Sequence, residues 1–225
     1  MKILRQRPEQ TDINMEGSLN LESGPDEKFI KTRSFMVSVY KIAVRRWGDP
    51  NTFPFLHTIL AFMLHVSRYP AAMAYLEKEF PWKSTELMLD SLYHSSASPS
   101  ELRIHQEEFP GAQKNDSPRP LPEDFALRGL VYTEDYYPVS WFKESKVEED
   151  EKYFELPSMA DQRKERILWL GRRLAASGKW LTWDDRTRKF GVAEPYAGDA
   201  KDEPFLDLGS DEQGQFHNFL DFPTR

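Results

Sequence analysis

One strongly apolar segment limits what this chain can fold into. Between Phe53 and Val66, apolar side chains cover about 200° of a helical wheel, and His57 and His65 lie in the narrow polar strip that remains. A helix with so wide an apolar face needs neighbouring elements on most of its sides. The segment is also too short to cross a bilayer, which takes about 20 consecutive apolar residues. We therefore predict the central buried helix of a globular domain and no membrane span.

Helical periodicity continues on both sides of this segment. Apolar residues at helical spacing predict helices from Lys28 to Trp47, from Ala71 to Phe80, and from Pro81-Trp82 onward. The connections between them are short, and Asn51 or Thr52 is expected to cap the central helix. Short connections make consecutive helices antiparallel neighbours. The sequence therefore predicts an all-α fold of stacked antiparallel helical hairpins.

The second half of the chain is less regular until its last long helix. The Ser, Pro, Asn and Asp residues between Ser95 and Pro120 predict an excursion loop, with a short helix at residues 101–109. A long helix is expected from Ser158 to Ser177, with Ser158 and Asp161 at its start and Gly178 as its stop. Residues 181–192 alternate around a charged turn, which predicts one small extended hairpin.

Charge is unevenly distributed along the chain. The formal net charge of −7 argues against a general polyanion binder. However, the stretch from Glu194 to Arg225 holds eight acidic and two basic residues, whereas the stretch from Arg163 to Lys189 holds nine basic and three acidic ones. We predict a flexible lead (1–27), a helical domain (28–192) containing an acidic linker (144–155), and an acidic, disordered tail (193–225).

The basic stretch contains one arrangement that could bind nucleic acid. Gln162, Arg166, Trp169 and Arg173 recur at helical spacing on one face. Two arginines and an indole can hold phosphates and stack on single-stranded bases. Alternatively, Trp169 packs in the core and the arginines surround it. On the first interpretation, the candidate contacts are Arg166, Trp169, Arg173, Arg186, Arg188 and Lys189.

No residue pattern in the sequence indicates catalysis. The five histidines lack the spacing of metal ligands, and neither a glycine-rich phosphate loop nor a nucleophile with a neighbouring base is recognisable. The absence of cysteine removes thiolate chemistry and disulfides, and the N-terminus lacks a secretory signal. We expect an intracellular protein that is not an enzyme and has no metal, cofactor or small-molecule substrate.

A ten-residue segment from Leu121 to Leu130 carries a resemblance to a known family. It resembles the Leu-Pro-Glu-Asp-x-x-Leu-x-Gly signature in the DNA/RNA-binding domain of the Ever Shorter Telomeres and SMG proteins. The signature positions are Leu121, Pro122, Glu123, Asp124, Leu127, Arg128 and Gly129. Further stretches resemble the fungal members, namely 51–57 with 67–70, 80–82, and 166–171 leading to 190–192. From the residues alone, Leu121, Phe125, Leu127 and Gly129 are packing and helix-stop positions.

The resemblance implies a TPR-like right-handed superhelix without catalytic activity. It implies a nuclear scaffold, with the cytoplasm as an alternative location, on single-stranded telomeric DNA or RNA and together with telomerase or mRNA-decay proteins. Members of the family normally carry a phosphopeptide-binding, tetratricopeptide-type half before this region, and this half is missing here. The chain is therefore expected to correspond to a C-terminal half or a truncated paralogue. The competing hypothesis is a pure protein-interaction scaffold that touches no nucleic acid.

Overall fold

The computed structural model describes residues 24–111, 119–143, 145, 147, 148 and 150–199, and this part of the chain is mostly helical. Its elements are α1 (Glu27–Val44), α2 (Phe53–Val66), α3 (Pro70–Met73), α4 (Trp82–His94), α5 (Pro122–Leu127), α6 (Pro157–Ala175), β1 (Leu181–Asp184) and β2 (Lys189–Val192). Short 3-10 turns occupy several of the connections. The predicted lead lies almost entirely outside the described residues, and so does most of the predicted tail.

Helix α2 is the central element, as its apolar face predicts. Leu56, Leu60 and Met63 are almost completely buried. The most extensive packing of α2 is against α6, while α1 and α4 complete the same core. The 3.6-residue period therefore located the centre of the fold correctly.

The structure of the α1–α2 connection corrects the prediction of the helix cap of α2. Neither Asn51 nor Thr52 caps α2 through its side chain. Instead, the Asp49 carboxylate accepts a hydrogen bond from the Asn51 amide and stabilises a 3-10 turn at Pro50–Thr52, which leads directly into α2. Pro54 lies in the first turn of α2, where its missing amide hydrogen costs nothing.

The predictions of two short helices are largely wrong. Residues 71–80 are helical only as far as Met73, and the rest forms turns in which several amides bond three residues back rather than four. Residues 101–109 hold only a 3-10 turn at Arg103–His105. Because Ile104 is fully buried, this loop packs on the core instead of leaving it.

Helix α6 matches the predicted long helix, but its start differs from the expected one. Leu156 occupies the cap position and Pro157 is the first helical residue, so Ser158 and Asp161 do not cap. Gly178 follows the helix with a φ of +63°, a conformation that glycine adopts easily and that ends the helix.

The small hairpin is present as predicted. Strands β1 and β2 are antiparallel, with Leu181 opposite Val192 and Asp184 opposite Lys189. Leu181 and Phe190 are buried, and the Phe190 amide donates a 2.7 Å hydrogen bond to Asp90 on α4. The hairpin is thus fixed to the helical core while its turn projects outward.

Candidate nucleic-acid interface

The Leu-Pro-Glu-Asp segment forms the start of α5 and positions two carboxylates. Pro122 is the first helical residue, and Asp124 accepts a 2.9 Å hydrogen bond from the Leu121 amide. Gly129 has a φ of +85°, which fits its predicted role after the end of the helix. The packing roles predicted for Leu121 and Leu127 agree with their burial.

Asp124 and Arg166 form a buried ion pair between α5 and α6. The Nη1 atom of Arg166 donates to both carboxylate oxygens, at 2.8 and 2.7 Å, and the side chains are 0% and 2% exposed. Tyr137 and Trp141 donate further hydrogen bonds to Asp124, at 3.1 and 3.3 Å. The carboxylate is therefore almost fully satisfied inside the protein, as a buried charge must be.

The guanidinium of Arg166 also lies between two aromatic rings. Its central carbon is 4.8 Å from the ring centre of Phe109 and 5.1 Å from that of Trp141. Burial opposes the charged form, but the Asp124 carboxylate outweighs it, and the pKa of Arg166 is raised. The arginine stays charged and buried, and its Nε atom makes no hydrogen bond within the described structure.

A second ion-pair network lies one helical turn away on α6. Arg163 donates to both oxygens of Glu123, each at 2.8 Å, and also to Glu155. Glu123 in turn lies 3.1 Å from His57 Nδ1, and Tyr136 Oη lies 2.6 Å from His57 Nε2. A proton on Nδ1 satisfies both contacts of the imidazole.

Glu123 is held in its ionised form by this network. Burial alone would raise its pKa, but hydrogen bonds from His57 and Arg163 outweigh burial and lower the pKa to about 2. Glu155 belongs to the predicted acidic linker, so this end of the linker is attached to α6 rather than being only solvated.

These contacts correct the predicted nucleic-acid site at two positions. Arg166 is committed to Asp124, and Trp169 is 6% exposed with its indole nitrogen donating to the Gln106 carbonyl at 3.0 Å. Neither side chain can reach a phosphate or a base at the surface. The alternative interpretation, in which Trp169 is a core residue, describes this helix face correctly.

The remaining predicted contacts lie on the surface. Arg186, Arg188 and Lys189 are exposed on the hairpin turn, and within the described part of the chain none of the three is within ion-pair distance of a carboxylate. Arg173, at the end of α6, is partly exposed and lies 3.9 Å from Glu107. We call the three exposed cations of the hairpin, Arg186, Arg188 and Lys189, the basic hairpin surface.

The geometry of the turn places the cations outward. The Asp184 carboxylate accepts hydrogen bonds from the amides of Arg186 and Thr187, at 2.8 and 3.2 Å. Hydrogen bonds from Thr187 and from the Arg186 amide lower the pKa of Asp184, which stays ionised. Arg188 has a φ of +53°, a left-handed conformation that an arginine rarely adopts.

One charged side chain beside the turn, that of Arg172, extends the positive region. The guanidinium of Arg172 lies 4.7 Å from the ring centre of Trp183 and 3.8 Å from Asp185. Burial, followed by the charges of Arg172 and Arg188, lowers the pKa of His105, and Asp185 opposes the effect. The lowered pKa of His105 therefore reflects burial first and the charges of the two arginines second.

Neither a metal site nor a membrane span is found in the part of the chain that the structure covers. Its residues include no group of three or more His, Asp or Glu side chains that could hold a metal ion. None of its helices is long and apolar enough to cross a bilayer.

Comparison with known proteins gives no match of any kind. No family model, no curated protein and no solved structure matches this chain.

The sequence missed the link between the two acidic residues and the two arginines. Glu123 and Asp124 are consecutive, and Arg163 and Arg166 are three residues apart on one helix face. Two adjacent carboxylates and two arginines on one helix face are the signal that could have indicated a double ion pair. Without a known contact between α5 and α6, the same arginines equally suggested a phosphate-binding face.

Proposed function

We propose that this chain is a non-catalytic helical scaffold that binds single-stranded nucleic acid through the basic hairpin surface. The observation that carries the proposal is the exposure of Arg186, Arg188 and Lys189, none of which forms an ion pair with a carboxylate of the described chain. Lysine and arginine contacts to phosphates supply most of the affinity of such binding. The resemblance to the Ever Shorter Telomeres and SMG proteins supports telomeric DNA or RNA as the ligand and a stacked helical superhelix as the scaffold.

The backbone of Arg188 supports a binding role for its side chain. A left-handed conformation costs roughly 1–2 kcal/mol for a residue with a Cβ atom, and glycine avoids this cost. Strained residues of this kind tend to occur at functional sites. A phosphate contact by the guanidinium would account for an arginine at this position.

The same geometry favours recognition of the phosphate backbone over recognition of bases. Trp169 is buried, and Trp183 is half-buried with Arg172 packed over its ring. No fully exposed tryptophan or tyrosine lies on the described hairpin. We therefore expect strong salt dependence and a weak preference for sequence.

Fluorescence anisotropy tests the proposal on the full chain. Labelled single-stranded telomeric DNA and an unrelated RNA are titrated at low and near-physiological salt, with the wild type and with the Arg186→Glu/Arg188→Glu/Lys189→Glu variant. Three phosphate contacts predict a slope of about −2 for log affinity against log salt concentration. The triple variant should remove that slope together with most of the binding.

A matched control variant distinguishes the effect of the basic hairpin surface on binding from the effect of net charge. Lys28, Lys78 and Lys143 are exposed lysines elsewhere in the structure, and their replacement by glutamate changes the net charge by the same amount. This control should bind almost like the wild type. Equal losses in both variants, or no binding of the wild type at low salt, would overturn the proposal.

A second candidate function is a protein-interaction scaffold, and one observation favours it. Phe35 and Ile42 are 71% and 68% exposed and lie seven residues apart on the outer side of α1. Such a stripe fits a helix of a partner, such as a telomerase or mRNA-decay protein. If the exposed stripe drives association of this chain with itself, light scattering will show it, and the Phe35→Ser/Ile42→Ser variant will be monomeric.

A further inference from the structure

An apolar groove lies on a face of α1 different from that of Phe35 and Ile42. It is formed by α1, α2 and the segment after α3, and its volume is about 300 Å³. The lining residues are Phe29, Thr32, Arg33, Met36, Phe62, Val66, Ala72, Tyr75 and Leu76. They include one cation and no carboxylate.

One hydrogen-bond donor in the groove has no partner. Arg33 donates to the Tyr75 carbonyl at 3.0 Å and pairs with Glu79 through its terminal nitrogens. Its Nε atom is buried and makes no hydrogen bond within the described structure. An unmade hydrogen bond at a buried donor is unfavourable, and an acceptor from an occupant would satisfy this donor.

The last described residues place the C-terminal segment next to this groove. The ring of Tyr196 lies 6.3 Å from that of Trp82, and its hydroxyl faces Glu77. Glu77 directly follows Leu76 of the groove lining. Tyr196, three residues before the end of the described chain, therefore contacts a residue next to the groove lining.

The sequence after residue 199 has the composition that the groove requires. Phe216, Phe219 and Leu220 recur at helical spacing, followed by Asp221 and Phe222. The residues from 200 onward hold six acidic and two basic side chains. Residues 1–23, at the opposite end of the chain, hold four acidic and three basic side chains and no aromatic one, so they suit the groove less well.

We propose that the apolar groove binds the aromatic segment Phe216–Phe222 of the same chain, with the carboxylate of Asp221 on the Arg33 side. About 20 residues separate Tyr196 from Phe216, and a flexible linker of that length has an r.m.s. span of about 25 Å. Such a linker gives an effective concentration in the millimolar range. Weak contacts between the aromatic segment and the groove are therefore sufficient to keep the groove occupied.

The absence of cysteine makes a direct test possible. A Thr224→Cys variant of the full chain carries a single spin label, and the methyl groups of its methionines are observed by NMR. The label should broaden the signal of Met36 in the groove and leave that of Met159, at the start of α6, unchanged. Adding Phe219→Ser/Leu220→Ser should abolish the broadening at Met36, whereas the control Phe205→Ser/Leu206→Ser should preserve it.

Three results would overturn the proposal. The first is no selective broadening of Met36 in the labelled chain. The second is broadening that persists with Phe219→Ser/Leu220→Ser, since another segment would then occupy the groove. The third is broadening that arises only when spin-labelled and isotope-labelled copies are mixed, because the occupant would then belong to a second copy.

Discussion

The arginines of α6 and the cations of the hairpin turn lie about 20 residues apart, yet they are used in opposite ways. Arg163 and Arg166 are buried and each bonds a carboxylate at the start of α5. Arg186 and Arg188 are exposed, and neither forms an ion pair with a carboxylate of the described chain. The difference shows that one basic stretch of sequence can divide into a structural half and a surface half. Burial decides to which half each residue belongs.

The buried half holds together elements that share little apolar contact. Helix α5 is short, and its link to α6 consists of two adjacent ion pairs, Glu123 with Arg163 and Asp124 with Arg166. Such pairs repay the cost of desolvation only when the remaining hydrogen bonds are made. Tyr137, Trp141 and the Leu121 amide complete the bonds of Asp124.

The largest effect is expected from breaking this buried pair. Asp124→Ala leaves the Arg166 charge buried without its partner, and we expect a loss of about 3–5 kcal/mol in the free energy of unfolding. Denaturant titration monitored by circular dichroism measures the loss. A loss below about 1 kcal/mol, the size typical of exposed pairs, would contradict the buried role.

A double variant provides the matched control for Asp124→Ala. Asp124→Asn/Arg166→Met removes both charges, and the amide oxygen of the asparagine can still accept hydrogen bonds from the Leu121 amide, Tyr137 and Trp141. Replacement of a whole buried pair is often neutral or stabilising, so this variant should recover most of the lost stability. A double variant as unstable as the single one would indicate that packing, rather than the unpaired charge, causes the loss.

The neighbouring pair, Glu123 with Arg163, should make the free energy of unfolding depend on pH. The folded-state pKa of Glu123 is lowered to about 2, mainly because hydrogen bonds from His57 and Arg163 outweigh burial. A lowered folded-state pKa contributes stability that is present above about pH 5 and is lost as the pH falls toward 2. The shift corresponds to about 3 kcal/mol at most.

Urea titrations between pH 2 and pH 6 test this dependence. The wild type should lose stability across that window, while Glu123→Gln should start lower and show a flatter profile. Parallel profiles for the two proteins would assign the acid sensitivity to other carboxylates.

The fold was more predictable from the sequence than the site was. The wide apolar face of α2, the helix stop at Gly178 and the hairpin around Asp184 depend on local patterns, and each was confirmed. Residues 71–80 show an apolar helical period, yet turns replace the helix because the chain must reverse before α4. Local periodicity does not encode that constraint.

The prediction of the site was wrong where the site depended on a contact between residues that are distant in sequence. Arg166 and Trp169 share a helix face with Arg173, but their environments are set by residues 109, 124 and 141, which periodicity cannot bring together. The exposed cations of the turn needed no such contact, because Asp184 fixes the turn locally.

Substitution of Arg188 is the most direct test of the division into a structural half and a surface half. It has two readouts, the free energy of unfolding and the affinity for single-stranded DNA. Arg188→Gly relieves the left-handed backbone and should raise the free energy of unfolding by about 1 kcal/mol. The same change removes one phosphate contact, so the salt slope for single-stranded DNA should become shallower by about 0.7. Higher stability with weaker, less salt-sensitive binding is the predicted result. Unchanged affinity in a stabilised Arg188→Gly variant would contradict the account, because the strained arginine would then have no part in binding.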